Sequence, residues 1–249
     1  MSNNLLSKFG LELNVGVIGA SGGLGQAFVE QFASQPNVAK IHAFSRTQIK
    51  FENEKVESHQ IDIQSEHSIQ EALDAIGDTI LFDIVVVATG FLHDEHVSPE
   101  KTIRDVNMDY FREVFSVNTY GPALLAKYFL PRLQRDRKSV FACLSARVGS
   151  ISDNRLGGWF AYRASKAALN MILKNAAIEM ARRYKKACII GLHPRTVDTT
   201  LSKPFHRQVQ EGKLFTPEYS SVCLLNVIND VEPEQSGKIF AWDGKEVPA

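Results

Sequence analysis

The sequence predicts an α/β protein built on a single doubly wound parallel sheet of seven strands, with helices on both faces. Three observations predict it. Strand-like and helix-like stretches alternate along the 249 residues, without repeats, low-complexity tracts or linkers. A glycine-rich turn joins the first strand to the first helix. The apolar run Phe82-Asp83-Ile84-Val85-Val86-Val87-Ala88 suits the centre of a parallel sheet.

The first strand is Leu13 to Ile18. It runs into Gly19-Ala20-Ser21-Gly22-Gly23-Leu24-Gly25 and then into the helical stretch Gln26 to Phe32. Gly19, Gly23 and Gly25 form a G-x-x-x-G-x-G pattern. Glycine lets the backbone turn sharply and approach a pyrophosphate, while the N–H groups that open the helix face its negative charge. A tight strand–helix junction with no ligand is the competing reading. The second strand, Ile41 to Phe44, ends in Ser45-Arg46-Thr47, with no acid where one would hold a ribose 2′-hydroxyl. Arg46 instead offers a guanidinium to a 2′-phosphate, which favours NADP(H) over NAD(H) unless Arg46 is only a solvated surface arginine.

A third strand, His59 to Ile63, ends on Asp62, and a helix follows from about Ser65 to Ile76. The fourth strand, Phe82 to Ala88, stops at Thr89-Gly90. The loop Phe91 to Asp105 contains His93-Asp94-Glu95-His96, but with no further ligand nearby no metal is expected. A long helix spans Met108 to Leu133 behind the cap Asn107. Inside it, Val117-Asn118-Thr119-Tyr120-Gly121-Pro122 gathers poor helix formers, which predicts a distortion where the Asn118 side chain or a freed carbonyl holds water. The fifth strand, Ser139 to Leu144, runs into Ser145-Ala146-Arg147-Val148-Gly149.

Tyr162-Arg163-Ala164-Ser165-Lys166 then heads an amphipathic helix that closes at the basic cluster Arg182 to Lys186. Tyrosine and lysine four apart share a helix face, one turn from each other. A cation beside a phenol favours the phenolate, so the spacing predicts an acid/base group with a lowered pKa. A packed aromatic with a solvated lysine would read the same way. The sixth strand, Ala187 to Leu192, stops at His193-Pro194-Arg195-Thr196-Val197-Asp198-Thr199. Leu201 to Phe215 is polar and mixed, a candidate mobile flap. Thr216-Pro217 opens a helix, and Gly237 to Trp242 is the seventh strand.

Lys+Arg and Asp+Glu number 28 each, so net charge gives no reason to expect nucleic acid or an anionic membrane as partner. Met1 to Leu13 lacks the apolar core of a signal peptide, and a cytoplasmic location is expected. Cys143, Cys188 and Cys223 are odd in number and widely spaced, as reduced buried thiols are. Residues 1–249 are expected to form one nucleotide-binding domain.

Taken together, Gly19-x-x-x-Gly23-x-Gly25, Asp62-Ile63, Asn118, Ser145 or its neighbour, Tyr162-x-x-x-Lys166, and Pro194 with Thr196 to Thr199 resemble the short-chain dehydrogenase/reductase family over nearly the whole chain. The stretch from Gly149-Ser150-Ile151 through Gly157-Gly158 to Tyr162 is similar to its C-factor and sniffer-like carbonyl reductase group. The resemblance implies a Rossmann-type sheet of order 3-2-1-4-5-6-7 with NADP(H) across the carboxyl ends of the strands. It implies that Tyr162 exchanges a proton with a carbonyl or alcohol substrate, that Lys166 holds the nicotinamide ribose and lowers the tyrosine pKa, and that Asn118 positions a water. It also implies that Ser21, Leu24 and Gly90 line the cofactor, that Asp62 and Ile63 flank its adenine, and that Pro194, Thr196, Val197 and Thr199 border its nicotinamide. A homodimer or homotetramer joined through the two long helices is the inherited expectation.

Three departures stand against this pattern. The family serine falls three residues before Gly149, where this chain has Ala146; Ser145 can serve only if the strand end is bulged. Val87-Ala88-Thr89-Gly90 replaces Asn-Asn-Ala-Gly, and Arg195 replaces the glycine after Pro194. A non-catalytic nucleotide-binding or redox-sensing protein on the same scaffold is therefore the alternative to an oxidoreductase.

Overall fold

A computed structural model describes residues 4–208, 210 and 212–249. Met1 to Asn3 of the N-terminal stretch, and Val209 and Glu211 of the flap, lie outside the described residues. Seven parallel strands stand in the order β3-β2-β1-β4-β5-β6-β7: β1 (Leu13–Ile18), β2 (Val38–Ser45), β3 (Val56–Gln60), β4 (Ile84–Val87), β5 (Ser139–Leu144), β6 (Ala187–His193) and β7 (Ile239–Ala241). The order reverses beside β1, which pairs with β2 on one edge and β4 on the other. That reversal splays the following loops apart and opens a crevice at the carboxyl ends of the strands.

Alternation along the strands divides the core. Val15, Val17, Ile84, Val86, Val140, Ala142 and Ile190 face one layer, against Phe28 and Phe32 of α1 (Gly23–Ser34) and Leu224, Leu225 and Ile228 of α6 (Pro217–Asp230). Ile18, Phe44, Val85, Val87, Phe141 and Ile189 face the other, against α2 (Glu66–Ile76), α4 (Gly121–Phe129) and α5 (Phe160–Met180). Both layers are apolar because the central strands have no solvent face, which is why they read as runs and not as alternations.

Several boundaries differ from the sequence reading, each for a local reason. β3 lies earlier than expected, over Val56–Gln60 and not His59–Ile63, because only those residues pair with β2; Ile61 and Ile63 are buried beyond the strand. The expected helix over Met108 to Leu133 is α3 (Met108–Phe115), a π-helical turn (Ser116–Tyr120), α4 and a closing 3₁₀ turn (Leu130–Arg132). Asn107 caps α3 by accepting from the N–H groups of Asp109 and Tyr110. α5 ends at Met180, four residues short of Tyr184. Cys143 and Cys188 are buried free thiols, whereas Cys223 is half-buried. Among the described residues no helix is long and apolar enough to cross a membrane.

Candidate active site

The cradle at the end of β1 depends on absent side chains. Gly19 has φ +87°, a conformation that costs an L-residue strain. A Cβ at Gly25 would lie 2.0 Å from the Gly19 carbonyl oxygen, and one at Gly23 would lie 2.9 Å from Thr199 Cγ2. Gly23 and Gly25 belong to the first turn of α1, where N–H groups have no partner within the helix, and Gly22, Gly23 and Leu24 line the crevice. Gly19, Ser21, Arg46, Asp62, Ile63 and Gly90 line one part of this cleft, a volume of about 300 Å³. Thr89 borders it with a buried Oγ1 that has no partner among the described residues. An adjoining chamber continues past Ser21, Gly23 and Leu24 to Ser145, Tyr162, Lys166, Pro194 and Thr199. A narrow backbone cradle at a helix N-terminus, an exposed Arg46 at one end and a buried Tyr/Lys pair at the other fit a phosphorylated dinucleotide.

Tyr162 is held by distant parts of the chain. It lies in the first turn of α5, whose N-cap residue Trp159 is left-handed (φ 51°) and offers no side-chain cap. The buried carboxylate of Glu100 does that work, accepting from the Ala161 N–H at 3.2 and 3.3 Å. A negative charge at a helix N-terminus is favourable, and here it fixes the turn that carries Tyr162. Trp159 meets the Tyr162 ring edge-on at 6.1 Å. Lys166, one turn along, is 2% exposed and donates to the Leu144 carbonyl at 2.8 Å, with Nζ 5.8 Å from the Tyr162 ring centre.

Burial acts against the charge balance that the spacing predicts. Burial pushes Tyr162 up to about 12 and Lys166 down to about 8. Loss of hydration penalises both charged forms, and the ammonium turned toward Leu144 does not offset that for the phenol. Tyr162 is thus a protonated group at neutral pH, suited to giving a proton. The single charge expected to ease its ionisation is itself easily lost.

Asn118 is fully buried, and its side chain is spent on structure. Oδ1 accepts from Phe91 N–H at 2.8 Å, while Nδ2 donates to the Phe91 carbonyl at 2.8 Å and to Ser165 Oγ at 3.2 Å. It therefore pins the loop after β4 to α5: both amide N–H groups are used, and Oδ1 keeps one lone pair. Pro122, four residues on, lacks an N–H, so the Asn118 backbone carbonyl loses its ordinary helical partner. That carbonyl is the second of the two groups on which the sequence places the water.

Ser145 lines the chamber that holds Tyr162, at the end of β5. The Ser145 N–H still donates to the Leu192 carbonyl in the manner of the strand, and Ala146 is extended (φ −155°, ψ 147°), with no bulge between them. Neighbouring side chains then point to opposite sides. Ser145 borders the chamber, but its hydroxyl donates to Asn170 Oδ1 at 2.6 Å, while Ala146 packs in the cluster that contains Tyr162. The hydroxyl expected to orient a carbonyl is thus hydrogen-bonded to Asn170 at the border of the chamber.

Pro194, Thr196, Val197 and Thr199 line the far side, together with Leu92, Val148, Trp159, Leu201 and Phe205, around about 330 Å³. Arg195 takes the left-handed conformation (φ 68°) that glycine adopts freely, and its guanidinium stacks 4.7 Å from the Phe215 ring and 5.4 Å from Trp242. His193 adds a buried Nδ1 with no partner among the described residues and is pushed down to about 4 by burial, so it is neutral. In the flap, Phe205 packs on Trp159 at 4.8 Å. Asp62 caps Gln64 through Oδ1 at 3.0 Å, at the cleft edge. His93 and Asp94 serve the loop, through the Leu201 carbonyl and the N–H groups of His96 and Val97. Glu100, Ser165 and Asn170 went unread in sequence. Ser165 and Asn170 had a weak signal in their spacing from Lys166, and Glu100 had none.

Comparison with known proteins agrees with this architecture. The family described as short chain dehydrogenase matches residues 14–210. The chain belongs to the short chain dehydrogenase family, and so to the oxidoreductases. It is 33% identical over 144 residues to C-signal of Myxococcus xanthus, across 58% of this chain and 81% of that protein. An NADPH-bound carbonyl reductase from chicken fatty liver superposes with a TM-score of 0.82 at 22% identity, covering 98% of both chains. The carbonyl reductase Sniffer of D. melanogaster superposes at 0.80 and 18% identity, over 96% of this chain and 100% of its own. These two likenesses are of fold.

Proposed function

We propose that the protein is an NADP(H)-dependent oxidoreductase that reduces a small-molecule carbonyl to a secondary alcohol, with residues 1–249 acting as one domain. The observation that carries this is Tyr162, protonated and buried beside Lys166, at one end of a continuous cleft whose other end is Arg46. NADPH, when bound, supplies the hydride. Gly19, Gly23 and Gly25 admit its pyrophosphate to the helix N-terminus, and Arg46 pairs with the 2′-phosphate. Tyr162 Oη gives its proton to the substrate oxygen, and Lys166 stabilises the phenolate left behind. The Asn118 carbonyl holds a water through which the proton is replaced. The apolar lining from Leu92 to Phe205 excludes bulk water and favours a bulky apolar substituent on the carbonyl. Catalysed NADPH oxidation by the purified protein with a panel of ketones and aldehydes tests this. Cofactor binding without turnover on the whole panel would refute it.

Assembly as a homodimer or homotetramer through α3, α4 and α5 is part of this reading. It is supported by the outward Met108, Tyr120, Met171 and Ile178, each more than half exposed. A cytoplasmic location is likewise proposed.

Two outcomes follow. Arg46→Ala is expected to raise the KM for NADPH by about 10- to 100-fold, the worth of a charge-assisted hydrogen bond, and to leave the KM for NADH nearly unchanged. Equal effects on both cofactors would remove Arg46 from the 2′-phosphate. The second concerns pH. Lys166 is charged below about 8 and neutral above it, whereas Tyr162 keeps its proton to about 12. The reductive kcat is therefore expected to be level at neutral pH and to fall as pH rises through about 8, and Lys166→Met should lower kcat and abolish that break.

One observation favours the second reading, a non-catalytic nucleotide-binding protein: Ser145 is committed to Asn170, and Ala146 stands where the family serine would. A Tyr162→Phe chain that preserved the cellular role, with Gly19 or Arg46 variants abolishing it, would decide for binding.

A further inference from the structure

The edge of the sheet holds a second cluster, apart from the cleft and unused by it. β2 and β3 pair with His42 opposite Glu57 and Phe44 opposite His59, so the parallel register puts all four side chains on one face. His42 Nδ1 and His59 Nε2 point at each other 3.0 Å apart. Glu57 Oε1 lies 3.9 Å from His59 Nε2, and one donor atom from each of the three residues falls within 4.8 Å of the others. Among the described residues no other group of histidine, cysteine and acidic side chains comes together this way.

We propose that His42, Glu57 and His59 form a three-ligand site for a divalent cation of the zinc class, with water as the fourth ligand. Tetrahedral zinc with Zn–N bonds of about 2.0–2.1 Å sets its nitrogens about 3.4 Å apart, a few tenths of an ångström from the separation found here. Both rings are already held. His42 stacks on Phe44 at 6.4 Å and meets Phe82 edge-on at 5.6 Å, and His59 lies 5.0 Å from Phe44. Glu57 is half-exposed and can swing the remaining distance. Its other oxygen, Oε2, is held by Lys40 at 3.0 Å, which restricts it to a single bond to the metal. Glu57, half-exposed, forms the open side of the cluster, where water can enter.

The alternative is a plain N–H···N hydrogen bond between the two rings. A metal replaces that shared proton and requires one on His42 Nε2, which is buried without a hydrogen-bond partner among the described residues. Metal-ligating histidines ordinarily have such a partner, and lacking it costs about 10- to 100-fold in affinity. The site is therefore expected to be of micromolar and not nanomolar strength. Arg46 and Asp62 lie four and three residues beyond His42 and His59, so the cation would brace the two strands that carry the adenosine end of the cleft.

The test is a titration of the chelator-stripped full chain with Co²⁺, read by visible absorption, followed by displacement with Zn²⁺. One Co²⁺ per chain is expected, with the intense bands of four-coordinate cobalt, lost on adding zinc. His59→Asn should abolish that signal and Glu57→Gln weaken binding about tenfold or more, with thermal melting of the metal-free variants close to that of the parent. His67→Asn and His96→Asn, which alter the exposed pairs with Glu71 and Glu95, should leave it intact. Zinc at roughly a hundredfold excess over Kd should raise the melting temperature of the parent and not of His59→Asn. Weak six-coordinate bands, no stoichiometric uptake, or the same uptake by His59→Asn would overturn the assignment. These readouts do not depend on oxidoreductase activity.

Discussion

Replacing Tyr162 by phenylalanine is expected to lower kcat for carbonyl reduction by about two to four decades, the worth of a placed proton donor, and to change NADPH affinity by no more than about threefold. The fold should tolerate the change. The ring packs edge-on to Trp159 and sits 8% exposed, so removal of the hydroxyl opens no cavity and strands no described partner. Steady-state kinetics paired with a direct binding measurement check it. A fall in kcat below tenfold would mean that some other group protonates the substrate, and neutral His193, beside the same chamber, would become the first alternative.

Gly25→Ala is expected to be the most damaging change in the nucleotide cradle. Its new methyl would stand 2.0 Å from the Gly19 carbonyl oxygen, 2.7 Å from the Gly19 carbonyl carbon and 3.0 Å from Ala20 Cα. All three are backbone atoms at the end of the central strand β1, so no side chain can rotate aside. Overpacking ordinarily costs about 1–3 kcal/mol and this contact belongs at or above that range. For a chain of this size each kcal/mol corresponds to about 2–4 °C, so the melting temperature should fall by about ten degrees, with loss of NADPH binding. Gly22→Ala is the control: its methyl would meet the same oxygen at an ordinary 3.5 Å, and stability should change little. Equal melting temperatures for the two variants would contradict this account of the turn.

Much of the frame was legible because it rests on short-range chemistry. The strands β1 and β5 fall where the apolar runs put them, and Asn107, Ser65 and Thr216 cap their helices through side chains that accept from N–H groups two or three residues on. The edge strand β3 was misplaced because Val-Glu-Ser-His-Gln carries no apolar run, while the buried Ile61 and Ile63 beyond it imitate one. The site was legible in its residue types and less so in its wiring. Glu100 caps α5 from 61 residues away, which no local pattern announces. The choice between Ser145 and Ala146 depended on one extended residue, and the electrostatics of Tyr162 and Lys166 on how completely the fold buries them. Spacing brought the two together on one helix face, but burial decides which of them holds its proton.

Hydride transfer from NADPH to a carbonyl carbon can be followed by incubating the purified protein with NADPH deuterated at the transferable nicotinamide position and a set of bulky apolar ketones, then reading the products by mass spectrometry. The proposed reaction gives a secondary alcohol carrying one deuterium on the carbinol carbon, formed by the parent and not by Tyr162→Phe. NADPH bound tightly in the cleft, with no deuterium in any product, would contradict it.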